Sequence, residues 1–146
     1  LIFGEAEDAL SQNVFQNLNW LAVILASVSA FFLGFLWYSP IMFSKRWMKE
    51  NGFTDESLKD ASMLKIFGLS FLLMLFAAFN LAMFIGVDSG AGFGATAGFL
   101  AGLGWVFTFM GVTYLFERKS VALFLINACY SVVSLTIMGL IIGAMQ

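Results

Sequence analysis

The sequence predicts an all-α membrane protein in which four transmembrane helices form a bundle, accompanied by short interfacial helices. The first observation is the composition, because 61% of the 146 residues are hydrophobic and only 11% are charged. The second is that the apolar residues form four runs of at least 20 residues. A helix rises about 1.5 Å per residue, so each run can cross a hydrocarbon core of roughly 30 Å. The predicted spans are 18–38, 65–87, 91–116 and 121–145.

The placement of the basic residues predicts the topology. They cluster at the 40–64 loop and at the turn after the third span. Basic residues are enriched on the cytoplasmic side of membrane proteins, so we expect both of these connections inside and both termini outside. The turn that contains Asp88 is then outside as well. The basic residues are Lys45, Arg46, Lys49, Lys59 and Lys65 in the first cluster, and Arg118 and Lys119 in the second.

Residues 1–17 form a separate acidic segment on the predicted outer side. The segment lacks the cationic start of a signal peptide and contains Glu5, Glu7 and Asp8. Its apolar residues approximate one helical face, which predicts an amphipathic helix on the membrane surface or on a partner. A mobile acidic tail is the alternative. The remaining residues, 18–146, form the four-span membrane domain.

The first span ends in a group of interfacial residues. Trp37 and Tyr38 are typical anchors at the membrane surface, and Pro40 prevents the helix from continuing. The loop that follows mixes aromatic and basic residues, which predicts a short interfacial helix, a turn and a second short helix before the second span. Two interpretations remain open for the aromatic residues: membrane anchoring, or a pocket for a lipid or apolar ligand. The candidate interfacial or lipid contacts are Trp37, Tyr38, Lys45, Arg46, Trp47 and Glu117.

Small residues recur at strict four-residue spacing on the first and third spans. Such ridges allow another helix backbone to approach closely. We therefore predict that the first and third spans pack together; alternatively, one ridge packs within the chain and the other forms a homo-oligomer. The ridge residues are Ala22, Ala26, Ala30 and Gly34 on the first span, and Gly90, Gly94, Gly98 and Gly102 on the third. A shorter ridge, Gly139 and Gly143, lies on the fourth span.

A few polar side chains lie within the spans. In the fourth span Asn127, Ser131 and Ser134 share one helical face, which we expect to point into the bundle or towards another subunit. Asn80 of the second span is a further candidate for this polar bundle face, at a different depth. The side chains either form hydrogen bonds between helices or line a narrow path for a solute.

The sequence offers few groups for catalysis. It contains no His, and its single Cys129 lies within the fourth span. Apart from Lys65 at the entrance of the second span, no charged residue lies within a span, whereas proton-coupled transporters usually need one. We expect no catalytic residues, no metal site and no cofactor. The basic residues are few and explained by topology, so nucleic acid is not an expected partner.

The first span and the residues after it also carry a distinctive pattern. It consists of Asn19-Trp20-Leu21-Ala22 and Gly34-Phe35-Leu36-Trp37-Tyr38-Ser39-Pro40, followed by Phe43, Lys45 and Trp47. Together with a Gly-rich third span that leads into Phe116-Glu117, the pattern resembles the DUF1761 family of small bacterial integral membrane proteins. The resemblance runs from Leu18 to the C-terminus. It implies a four-span fold in the bacterial cytoplasmic (inner) membrane and no established activity.

The function predicted from these features is that of a non-enzymatic multi-pass membrane protein that acts by helix packing. It would be a homo-oligomer or an accessory subunit of a larger membrane complex, with membrane lipids and other membrane subunits as its partners. The alternative is a small channel, a transporter, or a carrier of a lipid or apolar ligand. The small-residue ridges favour the first function, and the polar face of the fourth span favours the second.

Overall fold

A computed structural model describes residues 4–5 and 16–146 of the chain, and the regular elements assigned there are helices. The predicted amphipathic segment 1–17 lies largely outside the described residues. The helices are α1 (Trp20–Trp37), α2 (Ser44–Asn51), α3 (Asp55–Lys59), α4 (Met63–Ile85), α5 (Gly90–Phe116) and α6 (Val121–Met145). Within α5, a π-helical turn, Gly102–Phe107, separates the α-helical parts Gly90–Ala101 and Thr108–Phe116.

Four of these helices, α1, α4, α5 and α6, are long and apolar enough to cross a membrane. This confirms the predicted all-helical class and its four span-length helices, whose ends differ from the predicted spans by a few residues. Side-chain caps fix several helix starts, because an oxygen at the N-cap accepts a backbone N–H that has no partner within the helix. Asn19 accepts from Ala22 at the start of α1, and Ser120 accepts from Leu123 at the start of α6.

Helix α6 is central and contacts α1, α4 and α5. On one side of α6, α1 and α4 pack closely through alanines that have no exposed surface, including Ala22 and Ala26 on α1 and Ala78 and Ala82 on α4. Met138 and Ile142 of α6 complete this core. The loop with α2 and α3 and the α5–α6 turn lie at the same end of the molecule, which we call the basic end.

Helix α5 packs on α6 through glycine. A Cβ built at Gly94 would meet the carbonyl oxygen of Gly139, and one built at Gly98 would meet that of Leu135. The backbones of α5 and α6 are therefore in direct contact. The expectation that the first and third spans pack together is wrong: the third span packs mainly on the fourth. The reason is that α6 supplies its own glycines, Gly139 and Gly143, which permit a closer approach than the alanines of α1.

The π-helical turn keeps the basic half of α5 directed towards α6. Gly98 and Gly102 are four residues apart, and Gly102 lies against Val132 of α6. Five residues later, the ring of Phe107 packs on Phe124 of α6 with centroids 4.7 Å apart. A π-helical turn inserts one extra residue into the helix, so it absorbs this change of spacing. Thr108 donates its hydroxyl to the Gly104 carbonyl at 2.7 Å, next to the altered backbone.

Candidate functional site

An aromatic cleft opens between α1, α4 and α6 at the basic end. Its volume is about 560 Å³. Residues of three span-length helices and one residue of α2, Trp47, form its walls. The lining residues are Phe31, Gly34, Phe35, Tyr38, Trp47, Ile66, Phe67, Ser70, Met74, Asn127 and Tyr130. We call this space the aromatic cleft.

The cleft exists because α1 and α4 are separated by different side chains at their two ends. Away from the basic end, alanines let the two helices touch. Near the basic end, Phe31 of α1 packs edge-on against Phe67 and Phe71 of α4, with centroids 5.9 and 5.8 Å apart. Phe35 adds a further ring 5.5 Å from Phe67. These bulky rings hold the two helices further apart than the methyl groups of the alanines do. The aromatic cleft lies beside the rings.

The end of α1 directs its two large aromatic residues to different places. The indole N–H of Trp37 donates to the carbonyl of Ile126 on α6 at 2.9 Å, so Trp37 joins two helices and does not line the cleft. Tyr38 follows the last helical residue and does line the cleft. Its ring lies 5.7 Å from that of Trp47, which brings α2 over the opening. Ser39 ends the turn by donating to the Leu36 carbonyl.

Asn127 joins three helices in one hydrogen-bond network. The Tyr38 hydroxyl donates to Asn127 Oδ1 at 2.8 Å, and Asn127 Nδ2 donates to the Tyr114 oxygen of α5 at 2.7 Å. An amide can serve both tyrosines because it carries an acceptor and donors on one side chain. The network therefore fixes the wall of the cleft to α5, which does not itself line the cleft.

Tyr130 occupies the space that Gly34 leaves open. Its hydroxyl donates to the carbonyl of Ala30 at 2.9 Å, across the α1–α6 contact. A Cβ at Gly34 would lie only 3.1 Å from the Tyr130 oxygen. Gly34 thus continues the ridge of Ala22, Ala26 and Ala30, but it accommodates a tyrosine ring, whereas the three alanines are buried in the core.

The four predicted polar residues lie in different environments. Asn127 lines the cleft, whereas Ser131 donates to the backbone of its own helix. Ser134 is buried. Asn80 does not belong to this face: it is exposed and donates to the Phe76 carbonyl one turn earlier. An asparagine can satisfy its own donor within its helix in this way, so its presence in a span does not identify an inward face.

The charged residues at the basic end form one ion pair within the described residues. Arg46 forms an ion pair with Glu50 one turn later on α2, with Nε and Oε1 2.6 Å apart. Lys45 is exposed, and Glu117 is exposed and in no ion pair within residues 16–146. Glu50, which the sequence did not single out, lies near the start of α6. The Ser120 hydroxyl, followed by Arg46 and Lys49, holds the pKa of the Glu50 carboxyl below its ordinary value.

The attachment of α2 to α6 is expected to weaken in acid. Since the folded pKa of Glu50 is lowered, its contribution to stability is complete above the ordinary pKa of 4.5 and is lost as the pH falls through the lowered value. The difference in melting temperature between the wild type and Glu50→Gln should therefore be present near neutral pH and vanish in acid. Thermal unfolding from about pH 7 to pH 3 measures it.

Two further variants check this assignment. Ser120→Ala should bring the transition closer to the ordinary pKa, because it removes the main cause of the lowered value. Glu56→Gln, at an exposed position on α3, serves as the control for removing a carboxylate of the same loop. An equal pH dependence for the Glu50 and Glu56 variants would contradict a specific role of Glu50.

Metal ligands do not converge at this site. Within the described residues, no group of three or more His, Cys, Asp or Glu side chains could hold a metal ion. Cys129 of α6 is a free, partly buried thiol. The cleft itself offers aromatic rings, hydroxyls, an indole N–H and one carboxamide.

The helices and the cleft define a class: a small all-helical protein with four helices that are long and apolar enough to cross a membrane. The chain belongs to the DUF1761 family, described as "Protein of unknown function (DUF1761)", which matches residues 21–143. This confirms the family resemblance of the sequence. No curated protein and no solved structure matches the chain.

Proposed function

We propose that this protein is a non-enzymatic multi-pass protein of the bacterial cytoplasmic membrane that binds a lipid or another apolar molecule in the aromatic cleft. The observation that carries the proposal is the cleft itself. Its volume of about 560 Å³ falls within the range of roughly 300–1,000 Å³ of small-molecule sites. Aromatic rings form most of its walls, and three polar side chains lie together among them: those of Tyr38, which follows α1, and of Asn127 and Tyr130 on α6.

The packing function loses its main support. The ridge alanines of α1 are buried within the chain, and the ridge glycines Gly94, Gly98 and Gly102 of α5 contact α6. These ridges are therefore not free to bind another subunit. A solute channel is also less favoured, because Asn127 is already bonded to two tyrosines and Asn80 is exposed at another position.

The cleft can be tested by filling it. Ser70→Trp places a large ring in the cleft, and we expect it to reduce binding of an uncharged photoactivatable fatty alcohol by at least about tenfold. Leu73→Trp, three residues further on α4 and 69% exposed, makes a comparable addition outside the lining. Saturable photolabelling of the purified protein in nanodiscs measures binding. Equal labelling of both variants and the wild type, or labelling that does not saturate, would refute the site.

We also propose that the basic end faces the cytoplasm and that both termini face outward. The exclusive placement of Lys and Arg at this end supports the orientation. Val87→Cys and Lys119→Cys, each in a Cys129→Ala background, place exposed thiols at opposite ends of the molecule. In intact cells an impermeant maleimide should label residue 87 and not residue 119. Labelling of both, or of residue 119 alone, would contradict the orientation.

Association with further copies or with another membrane subunit is the second candidate. One observation favours it: the outward face of α5 exposes Gly92 and Gly104, at which an added Cβ would meet nothing within 4 Å. Open glycines on a span-length helix are compatible with close approach of another helix. Native mass spectrometry of the protein extracted from its own membrane tests this candidate. A monomer without protein partners at every protein concentration would exclude it.

A further inference from the structure

We propose that the ligand of the aromatic cleft is a neutral ring compound that carries carbonyl groups and an apolar tail, of the alkylquinone class. This inference rests on the proposed binding function and specifies its ligand. Three properties of the cleft support it: the charge of its lining, the kind of hydrogen-bonding groups left free, and the shape of its walls.

The lining is uncharged. None of the residues that line the cleft carries a formal charge at neutral pH. Arg46, which directly precedes Trp47 on α2, is paired with Glu50. An ionised headgroup moved into an apolar site without a partner loses much of its hydration energy. The lining therefore favours a neutral ligand over a phosphate, a carboxylate or a quaternary amine.

The lining holds three hydrogen-bond donors that are free within the described residues. The hydroxyl protons of Tyr38 and Tyr130 are already donated to Asn127 and to the carbonyl of Ala30. By contrast, neither the indole N–H of Trp47 nor the hydroxyl of Ser70 forms a hydrogen bond within residues 16–146. Asn127 uses one of its two amide protons on Tyr114 and retains the other.

A carbonyl oxygen matches these groups because it accepts hydrogen bonds and donates none. One carbonyl has two lone pairs, and a ring with two carbonyls presents acceptors at opposite edges. Leaving donors unpaired in an apolar site is unfavourable, so a ligand that pairs them gains selectivity over a hydrocarbon of the same shape.

The walls favour a planar ring over a simple acyl ester. Six lining residues are aromatic, and they come from α1, α2, α4 and α6. Tyr38 lies 5.7 Å from Trp47 and 5.4 Å from Tyr130, both edge-on, so rings already surround the polar groups. Aromatic rings interact with one another in offset or edge-on geometry beyond their simple burial. An aliphatic ester would provide the carbonyl without this contact.

Four probes with the same decyl tail separate these requirements. They are decyl-1,4-benzoquinone, decylbenzene, which has a ring without a carbonyl, decyl acetate, which has a carbonyl without a ring, and decyl phosphate, which is an anion. Binding to protein nanodiscs is measured by equilibrium dialysis, with empty nanodiscs subtracted. We expect the quinone to bind about tenfold more tightly than decylbenzene, as for one or two good hydrogen bonds.

Variants test which groups make the difference. Trp47→Phe keeps a ring but removes the N–H, and Ser70→Ala removes the hydroxyl. Each should weaken quinone binding several-fold and leave decylbenzene binding unchanged, with an unchanged melting temperature as evidence of folding. Leu73→Ala, at an exposed position on α4, should alter neither.

The outcomes distinguish this inference from the proposed function. If none of the four probes binds saturably, the binding function itself fails. If decylbenzene, decyl acetate or decyl phosphate binds as tightly as the quinone, the cleft remains a binding site but the inferred ligand class is overturned. The same holds if Trp47→Phe and Ser70→Ala leave the preference for the quinone intact. Selective quinone binding that both variants weaken supports the inference.

Discussion

Replacing Gly98 with alanine is expected to force α5 away from α6 and to lower the free energy of unfolding by about 2 kcal/mol. The added Cβ would meet the Leu135 carbonyl oxygen, with the Leu135 carbonyl carbon at 2.7 Å and Thr136 Cα at 3.1 Å. These are backbone atoms in the middle of a helix, and they cannot move aside by a change of rotamer. The two helices must therefore separate, and contacts along their whole interface weaken.

A matched substitution isolates this effect. Gly92→Ala makes the same chemical change in the same α-helical part of α5, but its Cβ would meet nothing within 4 Å. Any gain from the higher helix propensity of alanine is common to both variants and cancels in the comparison. Reversible unfolding in mixed micelles, followed by circular dichroism, measures both free energies. If Gly98→Ala is as stable as Gly92→Ala, the close α5–α6 contact is incorrect.

The sequence was sufficient to predict the helices but not their partners. Length and apolarity determine which segments can cross a bilayer, and these depend on local composition alone. Four-residue spacing likewise identifies the small faces of the first and third spans. This spacing does not determine which helix faces pack together. The pairing depends on which two helices can bring their backbones closest, and this requires a comparison of all four helices. Gly139 and Gly143 were visible as a shorter ridge, and they proved to be the partner of α5.

The π-helical turn illustrates a second limit. Gly94, Gly98 and Gly102 contact α6 at four-residue spacing, whereas Phe107, which also contacts α6, comes five residues after Gly102. A search for a constant period stops at Gly102 and misses the basic half of the contact. The change of spacing can be recognised only when the facing residue, Phe124 of α6, is known.

The candidate site was predictable in part. The residues after the first span indicated an aromatic group, and Tyr38 and Trp47 both line the cleft. The opposite wall on α4 was missed, although Phe67, Ser70 and Met74 occur at spacings of three and four residues and share a helical face. In a transmembrane helix, aromatic residues occur on all faces, so this spacing does not distinguish the wall of a cleft from a lipid-facing surface.

The role of Asn127 is the strongest case for interhelical hydrogen bonding. Replacing it with leucine, which has a similar volume, should lower the free energy of unfolding by about 2 kcal/mol. The substitution removes both the acceptor of Tyr38 and the donor to Tyr114, at distances of 2.8 and 2.7 Å. It also leaves two tyrosine hydroxyls in an apolar environment with poorer partners. Ser131→Ala, four residues further on α6, removes a bond within one helix and should cost much less.

Double-mutant cycles assign the loss to the two bonds. Asn127→Leu is combined in turn with Tyr38→Phe and with Tyr114→Phe, and unfolding is measured in the same micelles. Each cycle should give a favourable coupling of about 0.6 kcal/mol, reaching about 1.7 kcal/mol if water is well excluded. A third cycle, which combines Asn127→Leu with Trp37→Phe, serves as the control. The Trp37 indole also joins α1 to α6, but it donates to the Ile126 carbonyl and not to the Asn127 amide. If the Trp37 cycle gives the same coupling as the two tyrosine cycles, the α1–α6 contact is loosened as a whole. If coupling is confined to Tyr38 and Tyr114, Asn127 is the residue whose hydrogen bonds join α1 and α5 to α6 beside the cleft.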